Sequence, residues 1–163
     1  MQREFQLANP ADTPLIFDMY MEKAKWFQEK GIDQWDQEYL KIVINSDIIS
    51  NYIHAKEYFV LKDDGNIVAG CILMDEASKW EILEEDCKYL DYFVSLKAGA
   101  GRFLLEKIIE FCRENGIKKL KLDCQDHNEE LKNYYFKLGF KQVGRIKHKH
   151  FPDRYSCLMC LEL

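Results

Sequence analysis

The feature that most constrains this chain is a glycine-bracketed turn that opens a helix and is followed by a strand and a second, Asn-led helix. The turn is Ala98-Gly99-Ala100-Gly101-Arg102, and the helix continues as Phe103-Leu104-Leu105-Glu106-Lys107-Ile108-Ile109. The strand is Lys119-Leu120-Lys121-Leu122-Asp123, and the last piece runs from Asn128 through Tyr134-Tyr135 to Gly139-Phe140. A helix N-terminus carries unpaired N–H groups and the positive end of the helix dipole. Glycines let the chain turn sharply and let an anion approach with no Cβ in the way. The N–H groups of Gly99, Ala100, Gly101 and Arg102 are therefore candidate phosphate donors, with Arg102 adding charge. The same glycines also suit a strand-to-helix turn that only needs space. Leu104 stands where the dinucleotide pattern G-x-G-x-x-G has its third glycine, and no Gly-Lys-Ser/Thr follows to make a nucleoside-triphosphate loop.

The rest of the chain reads as alternating elements. Arg3 to Leu7 suits a strand, and Asn9-Pro10-Ala11-Asp12-Thr13-Pro14 a helix start. Leu15, Ile16, Met19, Tyr20, Ala24 and Phe27 recur at helical spacing up to Gly31. A loop with Gln34 and Trp35 follows, then a helical stretch from about Gln37 to His54 with a break near Asn45-Ser46-Asp47. Tyr58–Lys62 and Ile67–Met74 flank Asp64-Gly65, the clearest hairpin signal. Trp80 to Glu85 gives no clear pattern. Tyr89–Val94 suits a strand, as do Phe140–Lys147 and Tyr155–Leu163, with His148–Arg154 as a turn between the last two. Gly139 suits the end of the Asn128–Lys137 helix. Mixed strands and helices without repeat or linker predict one α/β or α+β domain over residues 1–163.

Composition narrows the partners. A net charge of −5 argues against nucleic acid as the main partner. No apolar run reaches membrane-spanning length. Met1-Gln2-Arg3-Glu4-Phe5 lacks a signal-peptide core, so the expected location is cytoplasmic and the six cysteines are expected to be reduced thiols. Cys157 and Cys160 have C-x-x-C spacing, but on a strand that spacing puts them on opposite faces, which suits a structural role. Lys147-His148-Lys149-His150 offers two histidines on one strand face, too few ligands for a metal site, and no metal is expected.

The glycine turn and the Asn-led helix together resemble the GNAT superfamily of N-acetyltransferases. Gly99-Ala100-Gly101 fits the G-x-G/A of that family's Q/R-x-x-G-x-G/A motif, with Leu104-Leu105 after it. Asn128, Tyr134-Tyr135, Lys137, Gly139 and Phe140 fit N-x-x-A-x-x-Leu/Tyr-Tyr-x-K-x-G-F, with Leu131 in place of the common Ala. Leu122-Asp123-Cys124 and the loop Gly31-Ile32-Asp33-Gln34-Trp35 are also similar to members. One departure is Leu96, which falls at the Gln/Arg position, with Lys97 beside it to supply positive charge. The resemblance is sharp from about Tyr89 to Gly144. It implies a mixed, mostly antiparallel sheet of six to seven strands, two central parallel strands splayed apart by a bulge in the first, and about four helices. It also implies acetyl-coenzyme A as cosubstrate, its pyrophosphate on the turn and its pantetheine arm between Tyr89–Val94 and Lys119–Cys124. Homodimers are common among such proteins.

Amine attack on a thioester needs a neutral amine, donors for the oxyanion and a proton for the departing thiolate. A phenol, with a pKa of about 10, keeps its proton at neutral pH, and Tyr135 falls where the family's acid stands. Tyr134, about a third of a turn away, is then expected to be the packing residue. Asn128 suits a helix N-cap and, by the resemblance, a contact to the coenzyme arm. The oxyanion donor is expected to be a backbone N–H near Phe93 or Val94. Asp91 is the candidate base on its strand, with Glu81, Glu84 and Glu85 preceding it. Gln34, Trp35 and Trp80 are candidates to line the acceptor site, Trp35 by cation–π contact with an amine or else as a core cover. The expected activity is acetyl transfer to a primary amine of a small molecule or peptide by direct attack in a ternary complex. Two other readings remain: an acyl-coenzyme A sensor of the same fold without catalysis, and a dinucleotide oxidoreductase, which leaves the Asn128–Phe140 pattern unexplained.

Overall fold

In the computed structural model, residues 1–75, 86–148, 151 and 153–163 are described. They form seven β-strands and five α-helices. The strand order is β1-β2-β3-β4-β5-β7-β6, with β4 and β5 parallel. The chain divides into two compact units, residues 1–73 with 92–107 and residues 74–91 with 108–163.

The first unit begins with β1 (Arg3–Leu7) and a 3-10 turn at Pro10–Asp12, then α1 (Thr13–Lys30), α2 (Gln37–Val43) and α3 (Ser46–His54). In α1 the buried residues are Ile16, Met19, Tyr20 and Ala24, a stripe at helical spacing. Gly31 ends it in the left-handed conformation at φ 67°. The expected break near Asn45 is a true helix boundary, which raises the helix number to five. Asn45 Oδ1 accepts the Ile48 N–H at 3.0 Å and so starts α3 as an N-cap. Asp36 caps α2 in the same way, through Tyr39 N–H at 2.8 Å.

Strands β2 (Tyr58–Asp63) and β3 (Asn66–Met74) pair antiparallel around Asp64 and Gly65, both left-handed at φ 49° and 84°. Two successive positive φ angles match the twist of a tight hairpin, which is why Asp-Gly signals one. Tyr58 to Leu61 are all buried, so this strand is covered on both faces. The unit also holds the second half of β4 (Cys87–Ser95) and the start of α4 (Ala100–Glu114).

In the second unit β5 (Lys119–Gln125) pairs antiparallel with β7 (Tyr155–Glu162) along its whole length, and β7 with β6 (Lys141–Lys147). The outermost strand β6 is exposed and carries Lys141, Arg145 and Lys147, charges that discourage edge-to-edge association. The parallel β4/β5 register covers Cys87↔Lys119, Lys88↔Leu120 and Tyr89↔Lys121 and ends there, although both strands run on. Between β5 and β6, α5 (Glu129–Lys137) presents Tyr135 as its buried residue.

Candidate active site

The glycine turn is held from several sides within the first unit. Leu96 N–H donates to Val68 O at 2.9 Å, and Ser95 Oγ–H to Lys97 O at 3.0 Å. Gly99 sits at φ 80° with nothing within 4 Å of where a Cβ would stand. It is glycine for conformation, since an L-residue there is strained whatever the space. Gly101 is glycine for proximity: an added Cβ would lie 3.2 Å from Ser95 Cβ and 3.4 Å from Phe93 Cε1.

One of the four expected N–H donors differs in kind from the others. Ala100 N–H donates to Lys97 O at 3.1 Å, so it closes the turn itself. Gly101 and Arg102 lie in the first turn of α4, ahead of the Phe103 N–H bond to Gly99 O at 3.2 Å, where a helix has donors without acceptors four residues back. The Arg102 guanidinium is paired with Glu106 at 3.0 Å on the surface.

Lys97, the expected replacement for the family's Gln/Arg position, points its charge at a protein carboxylate. Its Nζ lies 2.8 Å from Asp63 Oδ2, while Arg3 holds the same carboxylate through Nε at 2.7 Å and through a second nitrogen at 2.8 Å. Arg3 first and Lys97 next hold the buried Asp63 carboxyl well below the usual carboxylate range. The Arg3 guanidinium also lies over the Phe103 ring, 5.0 Å from its centre. This network fastens the strand-to-helix turn to β1 and β2.

Just before the turn, Tyr92 adopts φ 47° inside β4, a left-handed residue in a strand. Tyr20 Oη donates to its carbonyl oxygen at 2.6 Å. Trp35 stands in the same aromatic cluster, with ring centres 5.7 Å from Tyr20, 6.1 Å from Phe27 and 6.3 Å from Tyr92. Trp35 and Gln34 are both half-buried. Trp80, with Glu81, Glu84 and Glu85, lies outside the described residues.

In the second unit the Asn128 side chain accepts the Leu131 N–H at 3.0 Å and caps α5. The other end of α5 closes in a Schellman arrangement. Phe140 N–H donates to Tyr135 O at 3.1 Å and Gly139 N–H to Phe136 O at 3.0 Å, with Gly139 at φ 101°. The spacing of Tyr135, Gly139 and Phe140 in the sequence is the spacing of that cap.

Tyr135 is buried and Tyr134 only half-buried, so Tyr135, not Tyr134 as expected, is the more closely packed of the two. Tyr135 lies on the buried face of α5, and its ring packs 5.5 Å from Phe140 and 5.4 Å from Tyr134. Burial, and then the neighbouring Cys124, Tyr134 and Asp123, push the phenol above its ordinary range. It therefore keeps its proton at neutral pH and is a neutral donor.

Asp91 is half-buried on β4. Asp123 on β5 accepts a hydrogen bond from the Tyr89 hydroxyl, next to the last β4/β5 register pair. Among the described residues no group of three or more His, Cys, Asp or Glu could hold a metal ion. All six cysteines are free thiols, and burial pushes Cys124 up to about 12. Cys157 stands opposite Cys124 and Cys160 opposite Lys121 on β7.

Sequence reasoning missed Tyr20, Tyr58 and Tyr89. Each reads as an ordinary apolar-face residue of a helix or strand, and no local pattern reports where a hydroxyl meets its partner.

The model of the Acetyltransferase (GNAT) family matches residues 17–140. The chain is 24% identical over 146 residues to YesJ of Bacillus subtilis strain 168, described as an uncharacterized N-acetyltransferase, covering 82% of this chain and 78% of YesJ. Among solved structures, a GNAT-family acetyltransferase of Listeria monocytogenes is 25% identical with a TM-score of 0.73, covering 99% of this chain and 95% of that one. The PaiA N-acetyltransferase of Thermoplasma acidophilum, solved with coenzyme A, is 15% identical with a TM-score of 0.75, and each chain is covered in full.

Proposed function

Because this chain belongs to the GNAT acetyltransferase family, we propose that it moves the acetyl group of acetyl-coenzyme A onto a primary amine of a small molecule or peptide, by direct attack in a ternary complex. The observation that carries this reading is the turn: left-handed Gly99 delivers the first turn of α4, with the N–H groups of Gly101 and Arg102 ahead of the helical ladder. In this reading those groups and Gly99 N–H hold the pyrophosphate, while Ala100 shapes the turn.

Each remaining residue takes one step. Asp91 accepts the proton of the attacking amine, directly or through water. The amide N–H groups of Phe93 and Val94 serve the oxyanion that forms as the N–C bond is made. Tyr135 gives its proton to sulfur as the C–S bond breaks. Asn128 contacts the coenzyme arm while capping α5. Gln34 and Trp35 line the acceptor side, a reading supported by the packing of Trp35 against Tyr92. Trp80 belongs to the same proposed lining. A cytoplasmic location and the absence of a metal are parts of the same proposal. A peptide amine stays in view because a similar fold, 18% identical, is a ribosomal-protein-alanine N-acetyltransferase of Brucella melitensis.

Thermal melting with coenzyme A, acetyl-coenzyme A, NAD and ATP tests the carrier. Stabilisation by the first two alone is expected through linkage. Thiol release from acetyl-coenzyme A across a panel of amines then tests the transfer. Stabilisation by NAD or ATP instead, or thiol release indifferent to every amine, would overturn the proposal.

A further inference from the structure

Three tyrosines of the first unit form a directed chain. Tyr20 Oη lies 2.7 Å from Tyr58 Oη and 2.6 Å from the Tyr92 carbonyl oxygen. A carbonyl only accepts, so the single Tyr20 proton goes to Tyr92 and Tyr58 must donate to Tyr20. Tyr20 and Tyr58 are both fully buried, and burial pushes the Tyr58 phenol well above its ordinary range, which keeps it a donor. The fold makes room for this chain at one place. A Cβ at Gly70 would lie 2.8 Å from the Tyr58 hydroxyl and 2.9 Å from its ring, too close for any residue but glycine without displacing that side chain.

What the chain grips is the strained residue of β4. A non-glycine residue in the left-handed region is strained, and Tyr92 stands there at φ 47°. In a trans peptide the C=O and the next N–H point in opposite directions. Fixing the Tyr92 carbonyl on Tyr20 therefore fixes the Phe93 N–H to point directly away from that phenol.

We infer that Tyr20, backed by Tyr58, is a positioning residue that aims the Phe93 amide at the thioester carbonyl of the bound acyl donor. The inference rests on the acetyl-transfer reading above. It explains why two phenols are buried together behind one backbone carbonyl, and why glycine occupies position 70. Tyr20 touches no substrate in this account; it acts through the 92–93 peptide plane.

The test uses Tyr20→Phe, Tyr58→Phe and the double variant in the full chain. For Tyr20→Phe, kcat is expected to fall about tenfold or more, as for a misaimed oxyanion donor. Coenzyme A Kd, measured by calorimetry, is expected to hold within about twofold, a split that mere loss of packing would not give. The double variant should be no slower than Tyr20→Phe, because Tyr58 acts only through Tyr20. In parallel, adding acetyl-coenzyme A should shift the wild-type Phe93 amide resonance, and Tyr20→Phe should lose that shift. If Tyr20→Phe does not fold, Tyr58→Phe decides: faster Phe93 amide exchange and a lower kcat at unchanged Kd support the inference, and wild-type values in both overturn it. A folded Tyr20→Phe with wild-type kcat, or with kcat and affinity lost together, also overturns it. Wild-type protein that neither binds coenzyme A nor releases thiol would instead sink the acetyl-transfer reading.

Discussion

Phe140 holds Tyr135 twice: its N–H donates to the Tyr135 carbonyl oxygen at 3.1 Å, and its ring packs 5.5 Å from the Tyr135 ring. The helix cap and the packing of the candidate acid are thus one structure. The cap works only because Gly139 takes φ 101°, and a Cβ there would also lie 3.2 Å from Leu161 Cδ1. Gly139→Ala should therefore cost about 1–2 kcal/mol of stability. For a chain of this size that is a fall in Tm of about 2–8 °C, read by thermal melting. Turnover should drop with it because Tyr135 loses its seat; an unchanged Tm would show that the cap does not hold the helix end.

Tyr135→Phe keeps the ring and removes the proton. Turnover should fall roughly 10²- to 10⁴-fold, the range for a lost general acid, while coenzyme A affinity stays at the wild-type value.

The pH dependence carries its own sign. The Tyr135 phenol is raised above its ordinary value, so its protonated, active form persists as pH rises through about 10. The wild-type rate should show no alkaline decline from this group below that point. An alkaline limb centred near about pH 9 that disappears in Tyr135→Phe would contradict the burial argument.

Gly99→Ala and Gly101→Ala separate conformation from proximity. The first meets open space but forces a side chain to φ 80°; distortion worth about 1.4 kcal/mol would weaken coenzyme A binding about tenfold. The second presses on Ser95 and Phe93 at 3.2 and 3.4 Å, so it should reduce kcat as well as affinity. Calorimetry for Kd and initial rates for kcat check both. Unaltered coenzyme A binding in Gly99→Ala would remove the turn from the site.

Asp63 ties Arg3 and Lys97 into the base of the turn. Its folded carboxyl is held below the unfolded value of about 3.9, first by Arg3 and then by Lys97. The stability it contributes is therefore fully present above that unfolded pKa and is lost as pH falls through the lower folded value. Asp63→Asn should melt earlier than wild type at neutral pH, and the gap should persist to about pH 4 and narrow only below it. A gap that closes near pH 6 would point to another group.

Most of the fold was legible because its signals are local. Asp64-Gly65 marks a hairpin through two positive φ angles, Gly31 and Gly139 mark helix ends, and Asn45 and Asn128 accept N–H groups three residues on. The turn at Gly99 and the Asn128–Phe140 pattern were legible for the same reason, since each is a backbone geometry written within a few neighbouring residues. The helix break at Asn45 was visible, but its consequence, a fifth helix, needed the cap to be seen.

The burial of Tyr134 and Tyr135 was not so visible. Helical spacing separates their directions, but only the packing of α5 in its unit decides which ring is covered. Lys97 likewise looked like a charge offered to a ligand, whereas Asp63, 34 residues earlier, takes its ammonium.

The sequence by itself determined the elements, the glycine turn, the caps and the family to which they belong, because these depend on φ angles and hydrogen bonds between near neighbours. Only the tertiary structure decided that Tyr58, Tyr20 and Tyr92 meet in one directed chain. A hydroxyl's partner is set by packing that brings residues 38 and 72 positions apart within hydrogen-bond reach, and no short-range pattern encodes that distance.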